Sequence, residues 1–383
     1  MSRASYDVLV VGAGPAGVST AKAAALNGAT TLLLEKQPAV SAWKPCGEAT
    51  SKATFETAGV KPRPGAILRE AYAQVYAPNM KFITINEVGY CINKSILIQD
   101  IAVGAAEAGA EIHVREEFQG MVRKDGAMHV KTDRAEYDAK VVVGADGYSS
   151  SVARSVGMTE KSEPIPTVQY IMAGVKLDYP DAVRFYLGQQ IAPGGYAWIF
   201  PKSDKIAEVG VGVRGGVAKA YADRLVKMFE RELGSAQIID YRGAPVPIGG
   251  LISKVAVDNV ILTGDAAGTV IPFTGAGIHS SIAAGLVVGK VAAKAAEDGD
   301  VSGQRLARDF LSSYEEPWGR RIRGSLRAMR VFEKLSDEDL NTLQSMITPE
   351  DILDLANGFD LARVARKLLS HPVLAVKIAR NLL

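Results

Sequence analysis

Residues able to do chemistry are concentrated in a few short stretches. The stretch Trp43-Lys44-Pro45-Cys46-Gly47-Glu48-Ala49 holds one of the two cysteines of the chain, the other being Cys91. A thiol beside a lysine can be driven toward its thiolate, or can hold a proton for transfer, if the side chains meet in space. Two cysteines in separate segments do not make a disulfide framework, and they fit a reducing cytosol. No cluster of ligands is spaced for a metal, and none is expected. Cys46 therefore reads either as an acid or gate in a functional loop or as a small residue in a Pro-Cys-Gly turn.

The second stretch is Gly12-Ala13-Gly14-Pro15-Ala16-Gly17, a G-x-G-x-x-G turn between an apolar strand and an alanine-rich helix. Gly12 permits the tight turn, Gly14 lets the backbone approach a pyrophosphate, and Gly17 lets helix and strand pack closely. The helix opening at Pro15 and Ala16 aims its free amides and dipole at the phosphates. Glu35 follows about twenty positions later, at the end of the next strand and just before Lys36, where a carboxylate binds ribose hydroxyls. A flexible glycine loop would leave Glu35 unexplained, so dinucleotide binding is expected. Two further strand ends carry glycine and aspartate. Gly144-Ala145-Asp146-Gly147 leads into a serine-rich turn and Arg154; Gly264-Asp265 precedes a helix beginning near Gly275-Ala276-Gly277-Ile278. An aspartate after a strand can hold a chain of hydroxyls, and a glycine-rich helix start can approach a ring carbonyl and stabilise negative charge. Taken singly, each segment reads equally well as an ordinary strand-to-turn junction.

The elements that position these residues can be read in outline. Tyr6 to Val11, Pro15 to Asn27 and Thr30 to Glu35 make a βαβ unit. Glycine and proline then thicken between 38 and 65, as in a functional loop. Strands are expected in "REAYAQVYA", "KFITI" and "YCIN", a helix over 94–109, and a meander turning at Asp125-Gly126. Residues 165–213 are again strand-like, "DNVILTGDAAG" holds a late strand, and the chain is helical and basic from about 300. At 383 residues, 48% hydrophobic and 22% charged, the chain has room for two or three domains. A net charge of +2 does not indicate nucleic acid. No signal peptide is expected ahead of the first strand. "GAGIHSSIAAGLVVGKVAAKAA" is broken by His279, serines and lysines, so it reads as a buried small-residue helix and not a membrane span.

A fourth stretch joins Pro193, Tyr196, Trp198, Phe200 and Pro201 to Gly210 and Gly212. In a strand, Tyr196, Trp198 and Phe200 share one face, so they can wall an apolar cavity or simply pack on core. Gly210 and Gly212, on the adjacent strand, would leave room opposite.

The first three segments together resemble the FAD-dependent oxidoreductases of the para-hydroxybenzoate hydroxylase fold group. That resemblance implies an α/β chain: a Rossmann-type FAD-binding domain over 1–65, 94–160 and 251–300, an inserted antiparallel β-sheet substrate domain over 66–93 and 161–250, and a C-terminal helical domain over 301–383. Cys46, Gly47, Ala49, Lys94, Asp146 and Asp265 join the first glycines, Glu35, Lys36, Gly275, Gly277 and Ile278 as implied cofactor contacts. Lys94 stands where the group commonly has arginine, and Gly268 where its hydroxylases usually have histidine after "GDAA". The P-x-x-Y-x-W-x-F-P pattern with its G-x-G, combined with "PCGEA", narrows the resemblance to the geranylgeranyl reductase family, of the archaeal digeranylgeranylglycerophospholipid reductase type. It covers most of residues 5–300.

The activity so implied is saturation of isolated C=C bonds of a geranylgeranyl lipid by flavin hydride transfer plus protonation. Cys46, Tyr196 and Trp198 are the expected catalytic residues, and Tyr196, Trp198, Phe200, Pro201, Gly210 and Gly212 the substrate contacts. The alternatives are a menaquinone side-chain reductase, a flavin-dependent aromatic hydroxylase, and a non-enzymatic isoprenoid carrier. No second G-x-G-x-x-G unit is evident, so reduced ferredoxin or NAD(P)H is the expected electron donor. The expected location is cytoplasmic. Arg320, Arg323, Arg327 and Arg330 fall on one helix face, either to meet anionic lipid at the membrane surface or as a solvated face.

Overall fold

The structure is a computed structural model and describes residues 3–369. Two eight-stranded sheets and a C-terminal set of helices enclose a long cavity. The chain opens with β1 (Ala4–Val11), α1 (Pro15–Leu26) and β2 (Thr31–Glu35), the βαβ unit expected from the glycine motif. β1 and β2 pair in parallel, and Val8 to Val11 and Thr31 to Leu34 are buried, as apolar strands with helices on their faces require. β3 (Ala49–Thr50) and α2 (Ala53–Ala58) follow the glycine-rich loop, then β4 (Ile67–Tyr76) and β5 (Phe82–Ile92). "KFITI" and "YCIN" belong to this one long strand β5. α3 (Lys94–Glu107) is capped by Asn93, whose side chain accepts from the amides of Ser95 and Ile96.

β6 (Glu111–Val114), β7 (Phe118–Lys124), β8 (Ala127–Thr132) and β9 (Glu136–Gly144) complete most of the first sheet, with the hairpin turning at Asp125-Gly126. α4 (Ser151–Ser155) leads into β10 (Pro164–Ala173), β11 (Ala182–Tyr186), β12 (Tyr196–Ser203) and β13 (Ile206–Gly212). α5 (Ala218–Met228) and α6 (Glu230–Leu233) interrupt the strands before β14 (Gln237–Pro247). Within 161–250, expected as an antiparallel-sheet domain, α5 and α6 are helices that the sequence reading did not anticipate. Ala218, Ala222 and Leu225 recur at helical spacing and bury against the back of the second sheet. That sheet runs β14-β10-β13-β12-β11-β4-β5-β3 and is antiparallel except where β11 meets β4 in parallel. β3 pairs with β5, so residues 49–50 join the second sheet although they follow the first βαβ unit in the chain.

β15 (Ala256–Val257) and β16 (Val260–Leu262) return to the first sheet, whose order is β15-β16-β9-β1-β2-β6 with β7 and β8 attached to β9. The carboxyl ends of β2, β1, β9 and β16 therefore lie side by side. Backbone bonds Gly12 N to Leu34 O, Ala145 N to Val11 O and Thr263 N to Gly144 O knit these ends together. In an open α/β sheet this edge is where ligands bind.

α7 (Ile278–Asp298) is the buried small-residue helix expected from its sequence. It lies on α1 so closely that a Cβ at Gly285 or Gly289 would collide with the backbone of Ala16 or Thr20. α8 (Gly303–Tyr314), α9 (Arg320–Phe332), α10 (Asp337–Gln344), α11 (Pro349–Asn357) and α12 (Leu361–Leu369) complete the described chain. α10 and α11 start with reciprocal capping boxes, Ser336 with Asp339 and Thr348 with Asp351. Leu335, Leu340, Leu343 and Leu355 bury a small core that takes in Phe273 and Leu187, which docks the helices over the cavity.

The arginines of α9 are largely paired. Arg320 meets Glu316 at 3.5 Å, Arg323 meets Glu315 at 2.8 Å, and Arg330 meets Glu163 and, at 3.1 Å, Glu333. Arg321 and Arg327 have no carboxylate partner among the described residues. No described helix is long and apolar enough to cross a membrane. The basic and apolar stretch 362–383 is expected, like the arginine face of α9, either to meet anionic lipid or to stay solvated, and from 370 on it lies outside the described residues.

Candidate functional site

The cavity, of about 1230 Å³, runs from the carboxyl edge of the first sheet, past the concave face of the second, to α9 and α11. It exceeds the roughly 300–1,000 Å³ usual for one ligand, so it has space for a nucleotide and a second molecule together.

At the nucleotide end, Gly12 has φ of +99°, and a Cβ there would come within 2.6 Å of the Ala145 carbonyl oxygen. A side chain at Gly17 would collide with the carbonyl of Gly12, whereas one at Gly14 would meet open space. Gly17 thus serves helix–strand packing and does not line the cavity; Gly12, Gly14, Pro15 and Ala16 do. Glu35 accepts the Ala13 amide through one oxygen and the Gln37 amide through the other, each at 2.8 Å, with lone pairs left over. Lys36 lines the same end and lies 3.9 Å from Glu117. One oxygen of Asp146 caps α4 through the Ser151 and Val152 amides, while Oδ1 is buried without a partner among the described residues. No side chain caps α1 at Gly14 or α7 at Gly277, and both lie at the cavity wall. Two uncapped helix starts present amides and positive dipole ends to whatever anion or polar ring edge lies there.

The loop from 43 to 49 crosses between the two ends. Lys94, buried at the start of α3, donates from Nζ to the Lys44 carbonyl at 3.0 Å, so its amine holds this loop. The Lys44 ammonium pairs with Asp265, 221 positions on. Gly47 packs against Phe200, where a Cβ would stand 2.7 Å from a ring carbon. Glu48 adopts φ of +52°, unusual for a side-chain residue, and its carboxylate receives the Lys202 ammonium at 2.7 Å. The Glu48 amide points to Cys46 Sγ at 3.4 Å. Cys46 is half-buried and lines the cavity.

The aromatic stripe forms as its alternation requires. Tyr196 and Trp198 have ring centroids 5.8 Å apart, Trp198 and Phe200 6.3 Å, and Phe185 on β11 packs edge-on to Tyr196 and Phe200. All four line the cavity. The Tyr196 hydroxyl donates to the Thr274 carbonyl at 2.5 Å, which ties the second sheet to the turn before α7. Burial, reinforced by the nearby Cys46, pushes the Tyr196 phenol well above its ordinary pKa. Two expected contacts are corrected. The space above Gly210 is filled by the Trp198 indole itself, so this glycine accommodates the wall instead of substrate. Pro201 falls on the opposite pleat and does not line the cavity, whereas Gly212 does. Ala49, Asp265, Gly275, Gly277 and Ile278 all reach the cavity wall.

Behind the stripe lies a buried ionic cluster that sequence did not reveal. Lys202 Nζ sits 3.3 Å from Glu208 and 2.7 Å from Glu48, and the Trp198 indole N–H reaches Glu208 at 3.4 Å. Burial pushes the Glu208 carboxyl up to about 7, against the pull of Lys202. Burial also opposes the Lys202 charge, but the two carboxylates hold its pKa above the ordinary lysine value. Because the folded protein binds the Glu208 proton more tightly than the unfolded chain, this contribution to stability is full below the ordinary glutamate pKa of 4.5 and is lost as pH rises through about 7. Denaturant melts at pH 5 and pH 8 should differ by as much as about 3 kcal/mol from this group, and Glu208→Gln should flatten the difference. A pH dependence unchanged in the variant would exclude Glu208 as its source.

Residues 7–55 match a FAD-binding domain model, and residues 164–246, which hold the aromatic stripe, match the geranylgeranyl reductase catalytic domain. Digeranylgeranylglycerophospholipid reductase 2 of Methanopyrus kandleri is 34% identical over 395 residues, covering 99% of each chain. The digeranylgeranylglycerophospholipid reductase of Methanosarcina acetivorans is 36% identical, covering 88% of this chain and 87% of the relative. Among solved structures, a geranylgeranyl bacteriochlorophyll reductase-like protein of Thermoplasma acidophilum superposes with a TM-score of 0.87 at 28% identity, over 99% of this chain and 100% of that one. The flavin-dependent brominase Bmp2, at a TM-score of 0.72 and 17% identity over 97% of each chain, shares the fold. The orphaned Asp146 oxygen, the open backbone at Gly14 and the two uncapped helix starts suit FAD, the cofactor. With full-length relatives above 30% identity and both domain models matched, the chain belongs to the digeranylgeranylglycerophospholipid reductase family of FAD-dependent oxidoreductases.

Proposed function

We propose that the chain saturates the isolated C=C bonds of geranylgeranyl chains on phospholipid precursors. The observation that carries this reading is the continuity of one cavity from a dinucleotide end, past the Cys46 loop and aromatic wall, into an apolar compartment under α9 to α11. In this reading 1–65, 94–160 and 251–300 chiefly hold FAD, 66–93 and 161–250 chiefly shape the substrate face, and the residues from 301 close it.

Bound FAD, once reduced, supplies the hydride. A trialkyl alkene has no carbonyl to draw its electrons, so the second carbon needs a proton at nearly the same moment. The hydride brings both electrons, the proton balances the charge, and one C=C becomes one CH–CH. Cys46 is placed to hold that proton, because it lies on the cavity wall at the foot of the aromatic stripe. Tyr196 is the weaker acid: its one proton is committed to the Thr274 carbonyl and burial raises its pKa. Tyr196 and Trp198 instead orient and dry the alkene. Glu35, Asp146 and Asp265 take the hydroxyls of the cofactor, and the starts of α1 and α7 take its phosphates and ring carbonyl edge. Electrons come from reduced ferredoxin or a transiently docked NAD(P)H. In this reading a membrane surface is met by the helices after α9, since Arg320, Arg323 and Arg330 are paired with glutamates.

Dithionite-reduced holoprotein incubated with a digeranylgeranyl phospholipid should give products heavier in steps of two hydrogens by mass spectrometry. No mass gain, alongside turnover of a quinone or phenol, would sink the reading.

A further inference from the structure

Where α9 meets the start of α7, the cavity wall is partly polar and carries a cation with no counter-ion among the described residues. Arg321, in the first turn of α9, lines the cavity together with Trp318, His279 and Asn357. Its guanidinium lies 4.9 Å from the Trp318 ring centroid and 5.5 Å from that of Phe359, and Nη2 donates to the Asn357 side-chain oxygen. Nε is buried without a partner, and among the described residues no carboxylate pairs with Arg321. Residues 370–383 contain no aspartate or glutamate that could do so. Burial lowers the Arg321 pKa and only the Tyr314 phenol opposes this, which agrees with an absence of nearby acids. The other titratable group here adds no charge: burial, with Arg321 beside it, pushes the His279 imidazole down to about 4. That neutral ring bonds Thr57 at 2.7 Å and stands edge-on to Trp318 at 4.7 Å.

A half-buried arginine stacked on an aromatic ring, with unfilled donors and no acid, is costly unless an anion completes it. Its planar fork matches phosphate. On α9, Arg320, Arg323 and Arg330 pair with glutamates and Arg327 is exposed to solvent, whereas Arg321 lines the cavity and pairs with no carboxylate among the described residues. Phe273, Phe332, Met329, Ile352 and Leu353 add apolar lining to the same cavity. We infer that Arg321, with Asn357, Trp318 and His279, receives the phosphate of the prenylated substrate and selects phosphorylated over neutral prenyl lipids. The inference rests on the prenyl-lipid reading above and adds the recognition of its headgroup.

The test uses oxidised holoenzyme, so it does not depend on turnover. Geranylgeranyl phosphate and geranylgeraniol, each in neutral detergent micelles, are titrated while the flavin absorbance is followed. Wild type should bind the phosphate about tenfold or more tightly than the alcohol. Arg321→Met should lose most of that ratio, Arg321→Lys part of it, and Arg327→Met, on the exposed face, none. Flavin content of each variant is measured first; should Arg321→Met fail to fold, Arg321→Lys against wild type decides. Equal binding of phosphate and alcohol by wild type overturns the inference and leaves the prenyl-lipid reading intact. A ratio unchanged in the Arg321 variants, or both lipids weakened equally, shows a structural clasp and also overturns it. Displacement of geranylgeranyl phosphate by inorganic phosphate at comparable concentration would assign the site to free phosphate and overturn the lipid assignment. Binding of neither lipid by wild type overturns both.

Discussion

Alanine at position 46 is expected to lower alkene reduction on the order of 10²-fold while the flavin spectrum stays that of the wild-type holoprotein. The size follows from removing a positioned general acid. The separation of effects follows from geometry. The backbone of the loop is held independently of the thiol, by the Lys94 amine on the Lys44 carbonyl, by the Ile92 amide on the Glu48 carbonyl at 2.9 Å, and by Gly47 lying against Phe200. Cys46→Ser keeps a transferable proton on a less acidic group and should recover part of the loss. Single-turnover oxidation of the reduced flavin by a geranylgeranyl lipid measures the chemical step directly. A normal rate in Cys46→Ala with FAD bound would return Cys46 to the role of a turn residue.

The largest stability effect is expected far from the chemistry, at Arg184. Its side chain is 2% exposed and makes a two-pronged contact with Glu232, at 3.0 and 2.8 Å. Phe229 lies under the guanidinium at 5.8 Å, and Tyr186 stacks with Tyr76 at 4.6 Å beside it. Glu232 also accepts the Asp178 amide at 2.8 Å. Arg184→Leu leaves a buried carboxylate without its cation and should cost about 3–5 kcal/mol in urea unfolding. Arg184→Leu with Glu232→Leu removes both charges and should recover much of that loss. A double variant no better than the single would mean that packing around the arginine stem, and not the stranded charge, sets the cost.

The contrast between Cys46 and Arg184 shows what sequence discloses and what it hides. The glycine turn, Glu35 and the strand-end aspartates were legible because a pyrophosphate, a ribose and a close helix each demand a residue type at a fixed local spacing. The aromatic stripe was legible because strand side chains alternate. Pairings across long separations leave no such trace. Lys44 with Asp265, Lys202 with Glu208, and Arg184 with Glu232 each look like ordinary surface charges in one dimension. α5 was missed because only Ala218, Ala222 and Leu225 of it are buried, two of them alanines, so the surrounding strands set the expectation. Gly210 was read as room for a ligand because an absent side chain says nothing about which neighbour fills the gap; Trp198 does. Gly268 differs from the histidine of related hydroxylases for a local reason: with φ of +74°, a Cβ there would collide with the Gly250 carbonyl.

The four strand ends that build the nucleotide edge come from positions 11, 35, 144 and 262. Most of the second sheet is synthesised between the third and the fourth. During translation the amino-terminal βαβ unit therefore emerges long before β16 and α7 exist to cover it, and the alanine face of α1 waits for the close approach of Gly285 and Gly289. Formation of this edge has high contact order, and the closing steps are among the last the chain can make. A fragment ending near residue 160 should not retain FAD, and the appearance of bound-flavin absorbance in refolding would report completion of the whole first sheet instead of its early half.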